Sequence, residues 1–149
     1  MSTAIHLAKA KDEDRLVSLL IRANEEAQTG RSDDALRQAY GPLLLGNPLG
    51  AVWLIGPERA PLGYMSVSFS WSVQLSGPEA WLTDIYVRPS VRRRGIGTEV
   101  VHAITASLGR SGVRAMHAQL DVQDEISAAF CQRAGLKAAD GPRLYSDIF

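Results

Sequence analysis

The stretch Asp84-Ile85-Tyr86-Val87-Arg88-Pro89-Ser90-Val91-Arg92-Arg93-Arg94-Gly95-Ile96-Gly97-Thr98 decides how the rest of the chain is read. Ile85, Tyr86 and Val87 favour a strand, and Arg88-Pro89 closes it. From Ile96 onward, Val100, Val101, Ile104 and Leu108 recur at helical spacing. A strand therefore ends, and a basic loop with two glycines opens directly into an amphipathic helix. The first amides of a helix have no intrahelical acceptor and carry the positive end of the macrodipole, so such a helix start attracts anions. Gly95 and Gly97 withhold side chains that would keep a phosphate from those amides. Arg92, Arg93 and Arg94 add positive charge beside them. Together these features predict a diphosphate pocket. A basic surface loop that merely caps a helix would explain a lone Gly-x-Gly, but it explains the arginines, strand and helix less well.

Other phosphate loops fit worse. A Walker loop needs Gly-Lys-Ser/Thr, and Gly97 is followed by Thr98 with no lysine. A dinucleotide fingerprint needs a third glycine after a first parallel strand near the start of its fold. Here the turn lies past the middle of the chain, and position 100 is Val.

Upstream of the turn, Ala51 to Ile55 is a compact apolar run bounded by Gly50 and Gly56-Pro57. Leu62 to Trp71 alternates, with Met65, Val67, Phe69 and Trp71 on one side and Tyr64, Ser66, Ser68 and Ser70 on the other. Ser76-Gly77-Pro78 reads as a turn and Ala80 to Val87 as a strand, so the three strands form an antiparallel meander. Nearer the start, Ile5 to Ala8 fits a short strand. Asp12-Glu13-Asp14 offers a cap for a helix carrying Leu16, Leu19, Leu20 and Ala23, with Gly30 beyond its end. Ser32-Asp33-Asp34 caps a second helix carrying Leu36, Ala39 and Tyr40, which Gly41-Pro42 is expected to break or bend before Gly46-Asn47-Pro48. Downstream, Gly109 and Gly112 end the helix after the turn, and Val113 to Val122 is a strand. Asp124 caps a helix with Ile126, Ala129, Phe130 and Ala134, closed by Gly135, and Arg143 to Phe149 is the last strand. The order β-α-α-β-β-β-α-β-α-β predicts an α/β (α+β) fold. Its central sheet is mixed, mostly antiparallel and flanked by helices, in one domain over residues 1–149.

Composition narrows the functional classes. Hydrophobic residues make up 46% and charged residues 21%, which suits a folded domain and argues against disorder. Acidic and basic residues balance at 16 each, so the basic excess of a nucleic-acid binder is missing. The one cysteine, Cys131, has no internal disulfide partner, and neither it nor His6, His102 and His117 stand at metal-ligand spacing. No apolar segment approaches the ~20 residues of a membrane span. Met1 to His6 lacks the basic and apolar runs of a secretion signal, so a cytoplasmic location is expected.

With these residues in view, the chain resembles the GNAT superfamily of acetyl-CoA-dependent N-acetyltransferases. Arg92-Arg93-Arg94-Gly95-Ile96-Gly97 matches the family's Arg/Gln-x-x-Gly-x-Gly/Ala signature. Ile85 to Pro89 looks like its fourth strand and the exit from it. Ala129-Phe130-Cys131-Gln132-Arg133-Ala134-Gly135-Leu136 stands where relatives often have Leu/Phe-Tyr followed by Gly-Phe. The resemblance implies that acetyl-CoA is the co-substrate. The amides from Arg93 to Thr98, which include Arg94, Gly95, Ile96 and Gly97, would bind its pyrophosphate, with Arg92 beside them. The backbone around Ile85, Tyr86 and Val87 would pair with the pantetheine arm in a splay between the fourth and fifth strands. The segment Asp124 to Cys131, including Ser127 and Phe130, would line the far side of the thioester.

Amine acetylation needs a group that removes a proton from an ammonium. Relatives often carry a carboxylate on the fourth strand, where this chain reads Thr83-Asp84. Thr83 lacks the chemistry of a base. Asp84 has it, and an acid inside an apolar strand is uncommon. Asp84 is therefore read as the base or as an anchor for the substrate cation, against a purely structural Asp bound to backbone or arginine. Cys131 occupies the position of the tyrosine that protonates the departing thiolate. It is either a proton donor or a small buried hydrophobe. Glu25-Glu26 and Asp33-Asp34 either face the acceptor entrance or lie on solvated helix faces. The reading is acetyl transfer from acetyl-CoA to a primary amine of a small molecule or protein. The alternative is a non-catalytic acetyl-CoA sensor. No nucleic acid, membrane or metal is expected. Dimers are common among such relatives, which leaves a homodimer open.

Overall fold

The computed structural model describes residues 3–120, 123–139 and 145–148. Its elements are β1 (Ile5–Leu7), α1 (Glu13–Ala27), α2 (Asp33–Leu44), β2 (Gly50–Ile55), β3 (Gly63–Ser72), β4 (Gly77–Val87), α3 (Ile96–Arg110), β5 (Ala115–Ala118) and α4 (Glu125–Arg133). The sheet order is β1-β2-β3-β4-β5, antiparallel throughout except for the parallel β4–β5 pair. This is the mixed, mostly antiparallel sheet expected from the element order.

Several local expectations change. Asp12 makes no cap bond to α1. It is fully buried, and its Oδ2 accepts the Lys9 N–H at 2.9 Å, bracing the 3-10 turn that precedes the helix. Ser32 does cap α2, accepting the Ala35 N–H at 3.1 Å. Gly41-Pro42 does not break α2, which continues to Leu44. Proline removes one helical hydrogen bond there, but Tyr40, Leu43 and Leu44 pack on the core and hold the final turn. The β3–β4 turn lies before Gly77, with Ser76 at φ 55°, so β4 starts earlier than expected and includes Pro78. Pro78 has no amide to offer, but its carbonyl accepts the Arg114 N–H at 2.8 Å. β5 starts later than the expected Val113, because the Val113 amide closes the end of α3 on the Leu108 carbonyl; Gln119 and Leu120 are not in a strand, and residues 121 and 122 of the expected strand lie outside the described residues. Of the strand expected over Arg143–Phe149, residues 145–148 are not in a strand, and the others lie outside the described residues.

The sheet buries both faces. On one, Val52, Leu54, Tyr64 and Tyr86 meet Leu16, Leu19 and Leu20 of α1 and Leu36 of α2. On the other, Met65 and Val67 meet Val100, Val101 and Ile104 of α3, with Leu82, Ile85, Val87 and Phe130 packed against them. Each fully buried aliphatic side chain contributes about 1.5–3 kcal/mol of burial energy. This two-sided packing explains why Tyr64 to Val67 are all buried although their sequence alternates.

One irregularity places the site. Ser66 pairs with Asp84, but Val67 pairs with Leu82, so Thr83 is the extra residue of a β-bulge. Strict alternation would put Leu82 and Asp84 on one face. The bulge instead keeps Leu82 and Ile85 together in the α3 cluster and turns Asp84 and Tyr86 towards α1 and α2.

Candidate active site

The β4–β5 ladder ends at the pair Leu82–Ala118. Beyond it, among the described residues, Asp84 to Val87 are paired with β3 alone, so the β5-side edge of β4 is open there. A cavity of about 960 Å³ occupies this region. Its walls are Asp84, Ile85, Tyr86 and Val87 from β4, Ala23, Glu26 and Ala27 from α1, and Ile126, Ser127, Phe130 and Arg133 from α4. Val91, Arg92, Arg93, Gly95, Ile96, Gly97 and Thr98 close it at the start of α3.

The loop into α3 is shaped to present amides. Gly95 is the N-cap, at φ 74° with no side-chain cap bond. The first helical bond of α3 runs from the Glu99 N–H to the Gly95 carbonyl at 3.0 Å. The amides of Ile96, Gly97 and Thr98 therefore have no helical acceptor, and all three residues line the cavity. Arg93 is also left-handed, at φ 64°. Left-handed residues around such a turn aim successive amides at one point, making an anion-binding concavity. Gly97 serves a second need. A Cβ there would lie 3.1 Å from the Phe130 ring, so the absent side chain lets α4 close on α3.

The three arginines differ. Arg92 is fastened by a bidentate pair to Glu26 at 2.6 and 2.7 Å, its Nε donates to the Val87 carbonyl at 2.7 Å, and its guanidinium lies 5.5 Å from the Tyr86 ring centre. The Arg92 hydrogen bond holds the Glu26 carboxyl below its usual range. Arg92 thus ties the end of α1 to the end of β4, while Arg93 and Arg133 line the cavity. Arg94 is not among the lining residues.

At the other end, Tyr64 donates its hydroxyl to Asp84 Oδ2 at 2.6 Å and Tyr40 donates to the same oxygen at 3.2 Å. The tyrosine rings meet edge-on at 6.2 Å, and Tyr64 stacks on Tyr86 at 6.0 Å. Burial, then the Asp84 charge, pushes the Tyr40 hydroxyl up to about 12 and raises Tyr64 further, so both remain donors. Thr83 shares a 2.9 Å hydrogen bond with Ser66.

Asp124 and Cys131 do not reach the cavity wall. The Asp124 side chain caps α4 on the Ser127 N–H at 3.0 Å, and that bond keeps its carboxyl low. Cys131 is buried, and desolvation followed by the Asp124 charge pushes its thiol up, away from a nucleophilic thiolate. Residues that the sequence reading passed over are Tyr64, Val91, Arg133 and the α1 residues Ala23 and Ala27. Tyr64 had one signal: it heads a polar stripe of serines, where a buried tyrosine needs a partner. Among the described residues there is no group of three or more His, Cys, Asp or Glu that would hold a metal. No described helix is long and apolar enough to cross a membrane.

An open strand edge, an uncapped helix start and a carboxylate thus share the walls of one cavity. The family model for the Acetyltransferase (GNAT) family matches residues 13–136, and the chain belongs to that family, whose members use acetyl-CoA. No curated protein matches the sequence. Among solved structures, the chain is similar to an integron cassette protein from the mobile metagenome of Cole Harbour Salt Marsh, at 26% identity and a TM-score of 0.84, covering 97% of this chain and 90% of that one. A possible acetyltransferase from Clostridium difficile 630 shares 17% identity at a TM-score of 0.87, covering 100% and 99%. The aminoglycoside N-acetyltransferase AAC(6')-Iy, bound to a CoA bisubstrate analogue of acetylneamine, shares 19% identity at a TM-score of 0.80, covering 100% of both chains.

Proposed function

We propose that the protein transfers the acetyl group of acetyl-CoA to a primary amine of a small molecule, by direct attack in a ternary complex. The observation that carries this reading is the joining, in one cavity, of the uncapped amides of Ile96 to Thr98 and the Asp84 carboxylate. The amides and Arg93 bind the pyrophosphate, and Arg133 adds positive charge to the same cavity. The open edge of β4 receives the pantetheine arm. Asp84 takes a proton from the acceptor ammonium, directly or through water. The amine nitrogen then bonds to the thioester carbon, the carbon–sulfur bond breaks with its electron pair leaving on the CoA sulfur, and the nitrogen's second proton passes to that sulfur, directly or through water, giving the amide and the CoA thiol. The fold shared with AAC(6')-Iy supports an amine as acceptor.

The test is CoA release from acetyl-CoA with a panel of neamine, spermidine, lysine and histamine. At least one amine should turn over, and Asp84→Asn should lower kcat about 10²–10⁴-fold with acetyl-CoA affinity nearly intact. Tight acetyl-CoA binding without turnover on any amine would replace the enzyme reading with a sensor.

A further inference from the structure

We propose that Tyr64 is a positioning residue for Asp84: it holds one carboxylate oxygen so that the other faces the acceptor, with Tyr40 as a weaker second clamp. The proposal rests on Asp84 acting as the base. Both tyrosine hydroxyls meet Oδ2, at 2.6 and 3.2 Å. Among the described residues, Oδ1 has no hydrogen-bond partner, and Asp84 lines the cavity. The carboxylate is therefore held by one arm.

The clamp is built into the core. Tyr64 is only 1% exposed and lies in β3, paired with Tyr86, while Ser66 pairs with Asp84. Its ring is fixed between Tyr40 and Tyr86. Tyr40 sits on α2, so the two donors reach Asp84 from different elements. The bulge at Thr83 brings Asp84 within their reach, and both hydroxyls keep their protons through the range in which an amine is acetylated. A carboxylate without this hold would rotate about its side-chain torsions. Misplacing a reacting group by about 1 Å lowers a rate roughly a hundredfold.

The experiment is a double-mutant cycle on full-length protein, using the panel amine that turns over fastest. Tyr64→Phe removes one oxygen and keeps the ring. It should lower kcat about ten- to a hundredfold while KM for acetyl-CoA stays within about twofold. Tyr40→Phe, at the longer bond, should lower kcat less. In an Asp84→Asn background, Tyr64→Phe should have almost no further effect, because the group it positions is gone. A merely structural tyrosine would lower the melting midpoint and leave kcat unchanged, or its effect would multiply with that of Asp84→Asn; either result overturns the proposal. If Tyr64→Phe melts below the assay temperature, Tyr40→Phe carries the same cycle with the same criteria. Full turnover by Asp84→Asn removes the base and its clamp together. Loss in Asp84→Asn with a normal Tyr64→Phe refutes the clamp alone.

Discussion

Arg93 is a non-glycine residue at φ 64°, and it lines the cavity beside Gly95. A left-handed conformation costs an L-residue about 1–2 kcal/mol, and glycine avoids most of that. Arg93→Ala and Arg93→Gly both delete the guanidinium, and they differ by a single Cβ. If the loop holds φ near 64°, the glycine variant gains about 1 kcal/mol from relief of strain, partly offset by the greater freedom of its unfolded chain. It should therefore melt about 2–4 °C above the alanine variant at most. Acetyl-CoA affinity should respond differently. Loss of one charged contact to a phosphate weakens binding by about 1–2 kcal/mol, roughly five- to thirtyfold in Kd, and equally in the two variants. Differential scanning calorimetry and titration calorimetry at fixed ionic strength give the two quantities. Equal melting temperatures would refute the backbone claim. Wild-type affinity in both variants would refute the placement of Arg93 against the phosphates.

Gly97→Trp should abolish acetyl-CoA binding in titration calorimetry. A Cβ there already meets Phe130 at 3.1 Å, so overpacking should also lower stability by about 1–3 kcal/mol, and retained affinity would contradict the cradle. Cys131→Ala should retain turnover in the CoA-release assay, because the thiol is buried and does not line the cavity; loss of activity in a folded variant would restore a chemical role to it. Stability should fall as pH rises from about 10 towards about 12, because Tyr40 in the folded state keeps a proton that the unfolded chain releases near 10. Urea midpoints measured across that range should decline less steeply for Tyr40→Phe, and equal slopes would dismiss the Tyr40 contribution.

The strand–loop–helix around Gly95 was legible because its signals are local: propensity, two glycines and helical periodicity lie within a few residues of one another. The same holds for the Ser32 cap and the serine side of β3. What stayed hidden depends on contacts distant in sequence. Nothing near Arg92 shows that its guanidinium is fastened to Glu26 rather than free for phosphate. The pattern that suggested a phosphate role for Gly97 carries no trace of Phe130, whose ring also requires that glycine. Asp124 illustrates the reverse. Its capping signal was visible, and the cap engages the carboxylate that the sequence reading had assigned to the cofactor.

The Thr83 bulge shows why the two levels differ. An acid in an apolar strand can be picked out from sequence, but its face follows from counting by twos, and one inserted residue inverts the count. Without the bulge, Asp84 would point into the apolar α3 cluster, where an unpaired carboxylate would be strongly destabilising. With it, the same residue meets two hydroxyls and the cavity. The irregularity thus gives a poor strand residue two hydroxyl partners and a place in the cavity wall. Deleting Thr83 outright, rather than regularising its pairing, would remove the bulge but leave Leu82 and Asp84 adjacent and so on opposite faces, keeping the carboxylate on the α1 and α2 side, opposite Ser66.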